Sequence, residues 1–242
     1  MTQIEPDDLI FQAKTCHQLS KNRQAFEYLI QLVRLRQSLD DNQRECFSGI
    51  VQGTINPLRA SIHTLNTYHE SAIEEKKIEL AQIVQKYQKE AQDELLFFCK
   101  TALDLINSVL LINADTVQER IFWHRMRGDI YRYIVECDIP DEKGTAMREA
   151  RVAYDAAISI CDDNLILCDP NRLLAIFNAA IFEYEYLNEP SHAISILQEA
   201  IHSSEKFFDQ LPPQSQPQAK KILYSMRTNL MMWSNNDDDQ GT

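Results

Sequence analysis

The sequence predicts an all-α protein. It has only five glycines among 242 residues, and 44% of its residues are hydrophobic. Strand-like runs of Val, Ile and Thr are scarce, whereas Ala, Leu, Ile, Gln and Glu are plentiful, a composition typical of helical proteins. A chain of this length can bury its core as one large domain or as two halves.

The first half of the chain is expected to form four helices. Pro6 opens the first, PDDLIFQAKTCHQL, and the second is RQAFEYLIQLVRLRQSL. After the turn SLDDNQ, the third runs from about Arg44 to Tyr68 and contains Pro57, which lacks a backbone donor and predicts a kink. The fourth, residues 80–109, places apolar side chains three and four positions apart without a helix breaker.

The second half is expected to form five more helices. Thr116 and Glu119 have the spacing of a capping box and begin the fifth, which contains RMRGDIYRYIVE and ends near DIPDEKG. TAMREARVAYDAAISI forms the sixth, and Pro170 and Pro190 open the seventh and eighth, because proline suits a first helical turn. The ninth spans about 218–233.

The arrangement of these nine helices is expected to be irregular. No fixed repeat period near 34 or 40 residues accompanies them, which favours an antiparallel helical array over a regular solenoid. The polar segment NNDDDQGT, residues 235–242, is expected to be a disordered acidic tail.

Charge and cysteine usage narrow the classes of partner and compartment. The formal net charge is −12, which disfavours general binding to nucleic acid or to an anionic membrane. The six cysteines form no C-x-x-C pair, so we expect reduced, mostly buried thiols in an intracellular protein. No apolar run reaches 18 residues and no charged start precedes an apolar leader, which predicts neither a membrane span nor a signal peptide. We therefore expect a cytoplasmic protein.

Patterns that would indicate catalysis or a bound cofactor are missing from the sequence. There is no H-E-x-x-H, G-x-S-x-G, Walker loop or dinucleotide fingerprint. The histidines lie apart in the chain, and a lone helical histidine is more often structural than a metal ligand. We expect no enzyme activity, no cofactor and no metal.

The stretch RMRGDIYRYIVE favours an anion site. Arg125 and Arg132 are seven residues apart and share a helix face, and Tyr133 neighbours Arg132. Asp129 lies between the two arginines at helical spacing, where it can hold both guanidinium groups. Guanidinium and phenol groups both donate to phosphate oxygens, although a solvated charged face is the alternative interpretation.

Three other predicted helices carry polar and apolar side chains at matching periods. The sets that share a face are Gln52 and Arg59; Asn178, Ile181 and Glu185; and Ile222, Asn229 and Trp233. Asparagine amides suit the backbone of an extended peptide, and isoleucines suit its apolar side chains. Taken alone, Asn229 and Trp233 would indicate ordinary helix packing.

Four segments on separate helices, RMRGDIYRY, DPNRLLAIFNAAIFEYEYLN, LRAS and RTNLMMW, together resemble the signatures of the 14-3-3 family. The resemblance extends from about Pro6 to Trp233. It implies a cup-shaped, dimeric, non-enzymatic protein whose amphipathic inner groove binds phosphoserine or phosphothreonine segments of client proteins. Residues 1–234 would then form one domain, with the dimerisation half and groove floor in about 1–112 and the groove wall in about 113–234.

The resemblance also implies roles for particular residues. Phosphate binding falls on Arg59, Arg132 and Tyr133, with Arg125 at the margin and Gln52 where the family has a lysine. Binding of the client backbone falls on Asn178, Asn229, Glu185 and Trp233. The apolar groove wall falls on Phe177, Ile181 and Ile222, together with Ser225 where the family has a leucine.

Dimerisation is implied through the first four helices. Thr15, Cys16 and Leu19 would pack against the other subunit's Ala60, Ser61, Leu65 and Tyr87, and Lys21 would pair with Glu94. The partner subunit is either a second copy or a paralogue. Because Gln52 brings no charge and Ser225 replaces an apolar residue of the groove wall, two functions stay open. One is a phosphorylation-dependent adaptor, and the other is a structural scaffold with a decayed phosphate pocket.

Overall fold

A computed structural model describes residues 5–239 and the side chains of residues 5–234. Within that range no strand is present, and the all-α prediction is confirmed. The nine α-helices are α1 (Pro6–Gln18), α2 (Asn22–Arg36), α3 (Asp41–Glu74), α4 (Ile78–Leu105), α5 (Val117–Glu136), α6 (Pro140–Asn164), α7 (Pro170–Tyr186), α8 (Pro190–Phe207) and α9 (Gln216–Asp239). A π-helical turn, Ile106–Leu110, follows α4, and a 3₁₀ turn, Phe208–Gln210, follows α8.

The helix starts follow the capping signals of the sequence. Before α5, the Glu119 amide donates to Thr116 Oγ1 at 3.1 Å and the Thr116 amide donates to Glu119 Oε2 at 3.1 Å. This is the predicted capping box, which satisfies two amides that have no partner inside the helix. Pro170 and Pro190 both lie in the first turn of their helices, as predicted.

Helices α3, α6 and α9 extend beyond their predicted ends. Helix α6 covers Pro140–Asn164 instead of 145–160. Helix α3 continues through Pro57 to Glu74 instead of ending near Tyr68. Helix α9 continues past Trp233 to Asp239, so the backbone of residues 235–239 is helical where a disordered tail was expected. No proline or glycine interrupts the extensions of α3 and α9, and asparagine and aspartate only weaken a helix. Residues 240–242 lie outside the described residues.

The chain divides into two compact units. The first is formed by the residues up to Ala114 and by Tyr133–Ala146, and the second by Asp115–Arg132 and the residues from Met147. Helix α5 therefore contributes its first part to the second unit and its last turn to the first.

The core of the first unit lies among α1, α2, α3 and α4. Phe26 and Phe98 are almost fully buried, and their ring centroids are 4.7 Å apart. Helix α3 packs along α4, and α1 packs along α2. These contacts hold α3 in place along its length, which fixes the helix that carries Gln52 and Arg59.

The core of the second unit lies among α7, α8 and α9. Leu173, Leu197 and Met226 are fully buried there. Trp233 belongs to the same core, because it is 4% exposed and stacks on Tyr184 with ring centroids 4.2 Å apart. This packing fixes α7 and α9, which carry all four residues predicted to bind the client backbone.

All six cysteines lie within the described residues and are unpaired, and only Cys16 is not buried. Burial raises the pKa of the Cys137 and Cys161 thiols to about 12 in each case. These thiols are therefore protonated at neutral pH and pack as small apolar groups, and the prediction that most cysteines are buried is confirmed. Across residues 5–239, no helix is both long and apolar enough to cross a membrane.

Candidate functional site

Arg59 is the central candidate residue of the first unit. Its guanidinium carbon lies 4.2 Å from the centroid of the Tyr133 ring, and its Nη2 group pairs with the Glu136 carboxylate. Nη1 donates to Asn56 Oδ1 at 2.8 Å. Stacking on the ring fixes the plane of the guanidinium, whose N–H donors point outward along its edges. Arg59 is thus held in one orientation and remains 21% exposed.

Gln52 and Tyr133 belong to the same unit as Arg59. Helix α3 is continuous between Gln52 and Arg59, so their spacing of seven residues places them on one face. Gln52 is half-buried, and Tyr133 is 6% exposed. The first unit therefore contains three of the residues to which the sequence assigns phosphate binding.

Glu136 is a residue that the sequence analysis missed. It lies 77 residues from Arg59 in the chain, but its carboxylate forms the ion pair with Arg59. A signal was present, because Glu136 follows Arg132 by four residues and therefore lies on the same face of α5. Its carboxylate offsets part of the positive charge of Arg59.

Asp129 organises the candidate residues of the second unit. It is 4% exposed, and its Oδ1 accepts hydrogen bonds from Tyr154 Oη and from Asn178 Nδ2, both at 2.8 Å. Its Oδ2 lies 3.7 Å from Arg125 Nη1, which is the predicted pair one helical turn apart. One carboxylate thus fixes side chains from α5, α6 and α7.

Tyr154 was also missed by the sequence analysis. Burial raises the pKa of its phenol well above the ordinary value, and the Asp129 carboxylate raises it further, while Arg132 acts in the opposite direction. The phenol therefore stays protonated and donates a hydrogen bond to the Asp129 carboxylate. A Cβ on Gly128 would lie 2.6 Å from the Tyr154 ring, so the glycine permits this close approach. A glycine inside a helix lowers the stability by about 1 kcal/mol relative to alanine. The glycine within RMRGDIYRYIVE was therefore the sequence signal that another side chain approaches α5 closely there.

Another part of α5 in the second unit carries Arg120, His124 and Arg127. Burial lowers the pKa of His124, and the nearby positive charges of Arg127 and Arg120 lower it further. The imidazole is therefore neutral at physiological pH. Arg120 and Arg127 add positive potential to a helix that belongs to an acidic chain.

The residues predicted to bind a client backbone are distributed over α7 and α9. Asn178 and Asn229 are half-buried, and Glu185 is exposed. Asn178 uses one amide hydrogen on Asp129, which leaves its carbonyl oxygen available as an acceptor. Trp233 packs in the core, and its contact with a client stays a prediction.

The residues predicted to form the apolar groove wall lie on α7 and α9 of the second unit. Phe177 and Ile181 are half-buried against the core of the second unit, and Ile222 is 8% exposed. Ser225 is half-buried, and its Oγ donates to the Lys221 carbonyl at 3.3 Å. The serine hydroxyl is thus satisfied within α9, but it presents no apolar surface comparable to that of a leucine.

The predicted dimer residues lie on a largely apolar and exposed surface of the first unit. Leu19 and Tyr87 are 62% and 56% exposed, and Ala60 and Ser61 are exposed as well, whereas Leu65 is half-buried. Other large exposed apolar side chains of the same unit are Phe11, Tyr68, Ile73, Ile78, Leu80 and Ile83. Large apolar side chains left exposed in such number favour an interaction surface in the first unit.

One charged residue of the predicted dimer interface has a contact within its own chain, and the predicted pair between subunits stays a prediction. Glu94 lies 3.9 Å from Arg23 of the same chain, at the limit of an ion pair. Lys21 is exposed. Both partners of the contact with Glu94 are about half exposed, so the pair is worth only about 0–1 kcal/mol and can exchange with another cation.

Comparisons with known proteins agree with the fold. The sequence model of the 14-3-3 protein family matches residues 12–234. The chain is 26% identical over 234 residues to 14-3-3 protein 3 of Entamoeba histolytica, covering 97% of this chain and 98% of the relative. It is also 26% identical to 14-3-3-like protein G-BOX factor 14 kappa of Arabidopsis thaliana, covering 99% and 98%. It is 26% identical to 14-3-3 protein beta/alpha-1 of Oncorhynchus mykiss, covering 98% and 97%. The chain therefore belongs to the 14-3-3 family.

Proposed function

We propose that the protein is a non-enzymatic adaptor that binds phosphoserine or phosphothreonine segments of client proteins. The family match over residues 12–234 carries the proposal, because membership in this family supports a partner-binding adaptor role. The acidic total is compatible with it, since the cations of the proposed site are held locally while the net charge of −12 belongs to the whole chain.

Phosphate binding is assigned to Arg59, Arg132 and Tyr133, with Arg125 at the margin. Stacking on Tyr133 fixes the guanidinium of Arg59 before a ligand arrives. A bound phosphate has to share Arg59 with the Glu136 carboxylate or displace that carboxylate from it. A phosphate carries nearly two charges and three acceptor oxygens, so it competes well against one carboxylate.

Binding of the client backbone is assigned to Asn178 and Asn229. The carbonyl oxygen of Asn178 accepts an N–H of the client, because its amide group is oriented by the bond to Asp129. Phe177, Ile181 and Ile222 contact apolar client side chains, and Ser225 weakens that wall at one position.

The proposal is tested by fluorescence anisotropy with a labelled phosphoserine peptide and its unphosphorylated twin. We expect the full chain to bind the phosphorylated peptide at least tenfold more tightly. Equal affinity for the two peptides would contradict the proposal.

A second function is favoured by two specific observations. Gln52 lacks the charge of a lysine, and the Glu136 carboxylate already pairs with Arg59. Both features suit a helical scaffold that binds partners independently of phosphorylation. The same titration separates the two functions, because a scaffold does not discriminate between the two peptides.

Replacing Gln52 with lysine is expected to tighten phosphopeptide binding. The lysine adds a charge-assisted hydrogen bond worth roughly 1.5–3 kcal/mol, or about ten- to a hundredfold in affinity. Calorimetric titration measures the change. Gln210→Lys is the matched control, because Gln210 is exposed and the substitution adds the same charge elsewhere. A Gln52→Lys variant that binds no better than this control would argue against a role of position 52 in binding phosphate.

We also propose that the protein is a dimer that uses the exposed apolar surface of the first unit. Light scattering is expected to give roughly 56 kDa, twice the 28.1 kDa of one chain. Leu19→Glu should shift the mass towards the monomer, because burying an unpaired carboxylate in an apolar interface costs several kcal/mol. Ile112→Glu is the control, since Ile112 is 72% exposed in the same unit but outside the proposed interface. A wild-type monomer at tens of micromolar would contradict the proposal.

A further inference from the structure

Glu183, Glu189 and His192 meet at the turn between α7 and α8, and we propose that they bind a divalent transition-metal ion, for which Zn²⁺ is the best fit. One ligand atom from each residue lies within 4.8 Å of the other two. An imidazole nitrogen with two carboxylate oxygens is a ligand set that zinc accepts, with water in the fourth position. This inference does not depend on the proposed function.

The backbone of the turn brings the three residues together. The carbonyl oxygen of Glu183, near the end of α7, accepts the amides of Leu187 at 3.3 Å and Glu189 at 3.2 Å. These bonds fold Glu189 back towards Glu183. Glu189 is then the residue before α8, and its carbonyl accepts the Ala193 amide at 3.1 Å. His192 follows in the first turn of α8, so two helix ends fix all three positions.

The side chains of Glu183 and His192 already form a polar pair. His192 Nδ1 lies 2.7 Å from Glu183 Oε2, within hydrogen-bond distance. Ligands bound to tetrahedral zinc at about 2.0–2.1 Å are about 3.3 Å apart, so these two atoms need to separate by less than about 1 Å, and zinc binding releases any proton shared between them to solvent. The His192 side chain can move because it is 59% exposed, whereas Glu183 is 10% exposed and stays in place. The imidazole then carries its remaining proton on Nε2.

Arg151 orients Glu189, which is the third of the proposed ligands. Its Nη1 and Nη2 donate to the two carboxylate oxygens of Glu189 at 3.0 and 3.1 Å. A carboxylate that ligates a metal is commonly held by such a hydrogen bond, and each oxygen keeps a second lone pair. The positive charge of Arg151 opposes the cation, so we expect weaker binding than at a closed site with four protein ligands.

The surroundings favour entry of a cation. Glu183 and His192 line a cavity of about 330 Å³ between α6, α7 and α8, and the same cavity is lined by Asp155, Asp162 and Glu199. These carboxylates outnumber Arg172, the one arginine among its lining residues, and raise the local concentration of cations.

Isothermal titration of ZnCl₂ into the chelator-treated full chain tests the site. We expect one zinc ion per chain to bind through it. His192→Gln and the isosteric Glu183→Gln should each lower the affinity at least tenfold, whereas His202→Gln should leave it unchanged. His202 is the matched control because it is an exposed histidine of the same helix.

Circular dichroism establishes that each variant keeps the helix content of the wild type. Absence of zinc binding by the wild type would overturn the proposal. So would wild-type affinity in His192→Gln, since zinc would then be bound elsewhere, for example by thiols. Neither result bears on phosphopeptide binding, which uses other residues.

Discussion

Arg132→Glu is expected to abolish binding of a phosphoserine peptide. The substitution removes a guanidinium that is assigned to the phosphate and places a negative charge against it. Losing the charge-assisted hydrogen bonds costs roughly 1.5–3 kcal/mol, and like-charge repulsion adds to this loss. We expect more than about a hundredfold loss of affinity, measured by fluorescence anisotropy.

The control for this experiment has to match the change in charge. Arg34→Glu lowers the net charge by the same two units at an exposed position of α2 and should bind like the wild type. Arg132→Gln, which removes the donor without adding repulsion, should show a smaller loss. Because Arg132 also lies near Tyr154, urea unfolding of each variant separates loss of binding from loss of structure. If folded Arg132→Glu binds as well as the wild type, Arg132 does not hold the phosphate.

The sequence was informative about the fold wherever local signals decide the structure. Thr116 and Glu119 begin α5 as predicted, since a capping box depends on residues three positions apart. The predicted end of α9, near Trp233, was wrong, because the helix continues to Asp239. The asparagines and aspartates in between only weaken a helix and do not end it. Local propensity therefore located the helices better than it located their ends.

Contacts between residues of the same helix in the candidate site were predictable from the sequence, but contacts between different helices were not. The contact between Arg125 and Asp129 follows from their spacing on α5. The pair of Arg59 with Glu136 joins residues 77 positions apart. The spacing of Glu136 from Arg132 indicates the face of α5 on which it lies, but not its partner on α3. Single-sequence reasoning likewise missed the hydrogen bond of Tyr154 to Asp129, since it depends on how α6 packs against α5.

The zinc ligands illustrate a further limit of motif reasoning. Glu183, Glu189 and His192 are separated by six and three residues, a spacing that matches no common metal motif. Their approach depends on the backbone of one turn, where the Glu183 carbonyl accepts two amides. The histidine was therefore interpreted from the sequence as a structural residue.

Asp129→Ala is expected to destabilise the second unit more than other single substitutions of acidic residues there. It leaves Tyr154, which is 1% exposed, without the acceptor of its hydroxyl proton, and it removes the partner of Asn178. Two hydrogen bonds to a charged group are worth roughly 1.5–3 kcal/mol each, so we expect a loss of about 3–6 kcal/mol in the free energy of unfolding. That is a large part of the 5–15 kcal/mol that stabilises a typical domain. Urea denaturation measures the loss, and Glu205→Ala is the control. Glu205 accepts from Arg227 Nη2 at 2.8 Å, and both side chains are about half exposed, so its removal should cost only about 0–1 kcal/mol. Similar losses in the two variants would mean that Asp129 does not organise α5, α6 and α7.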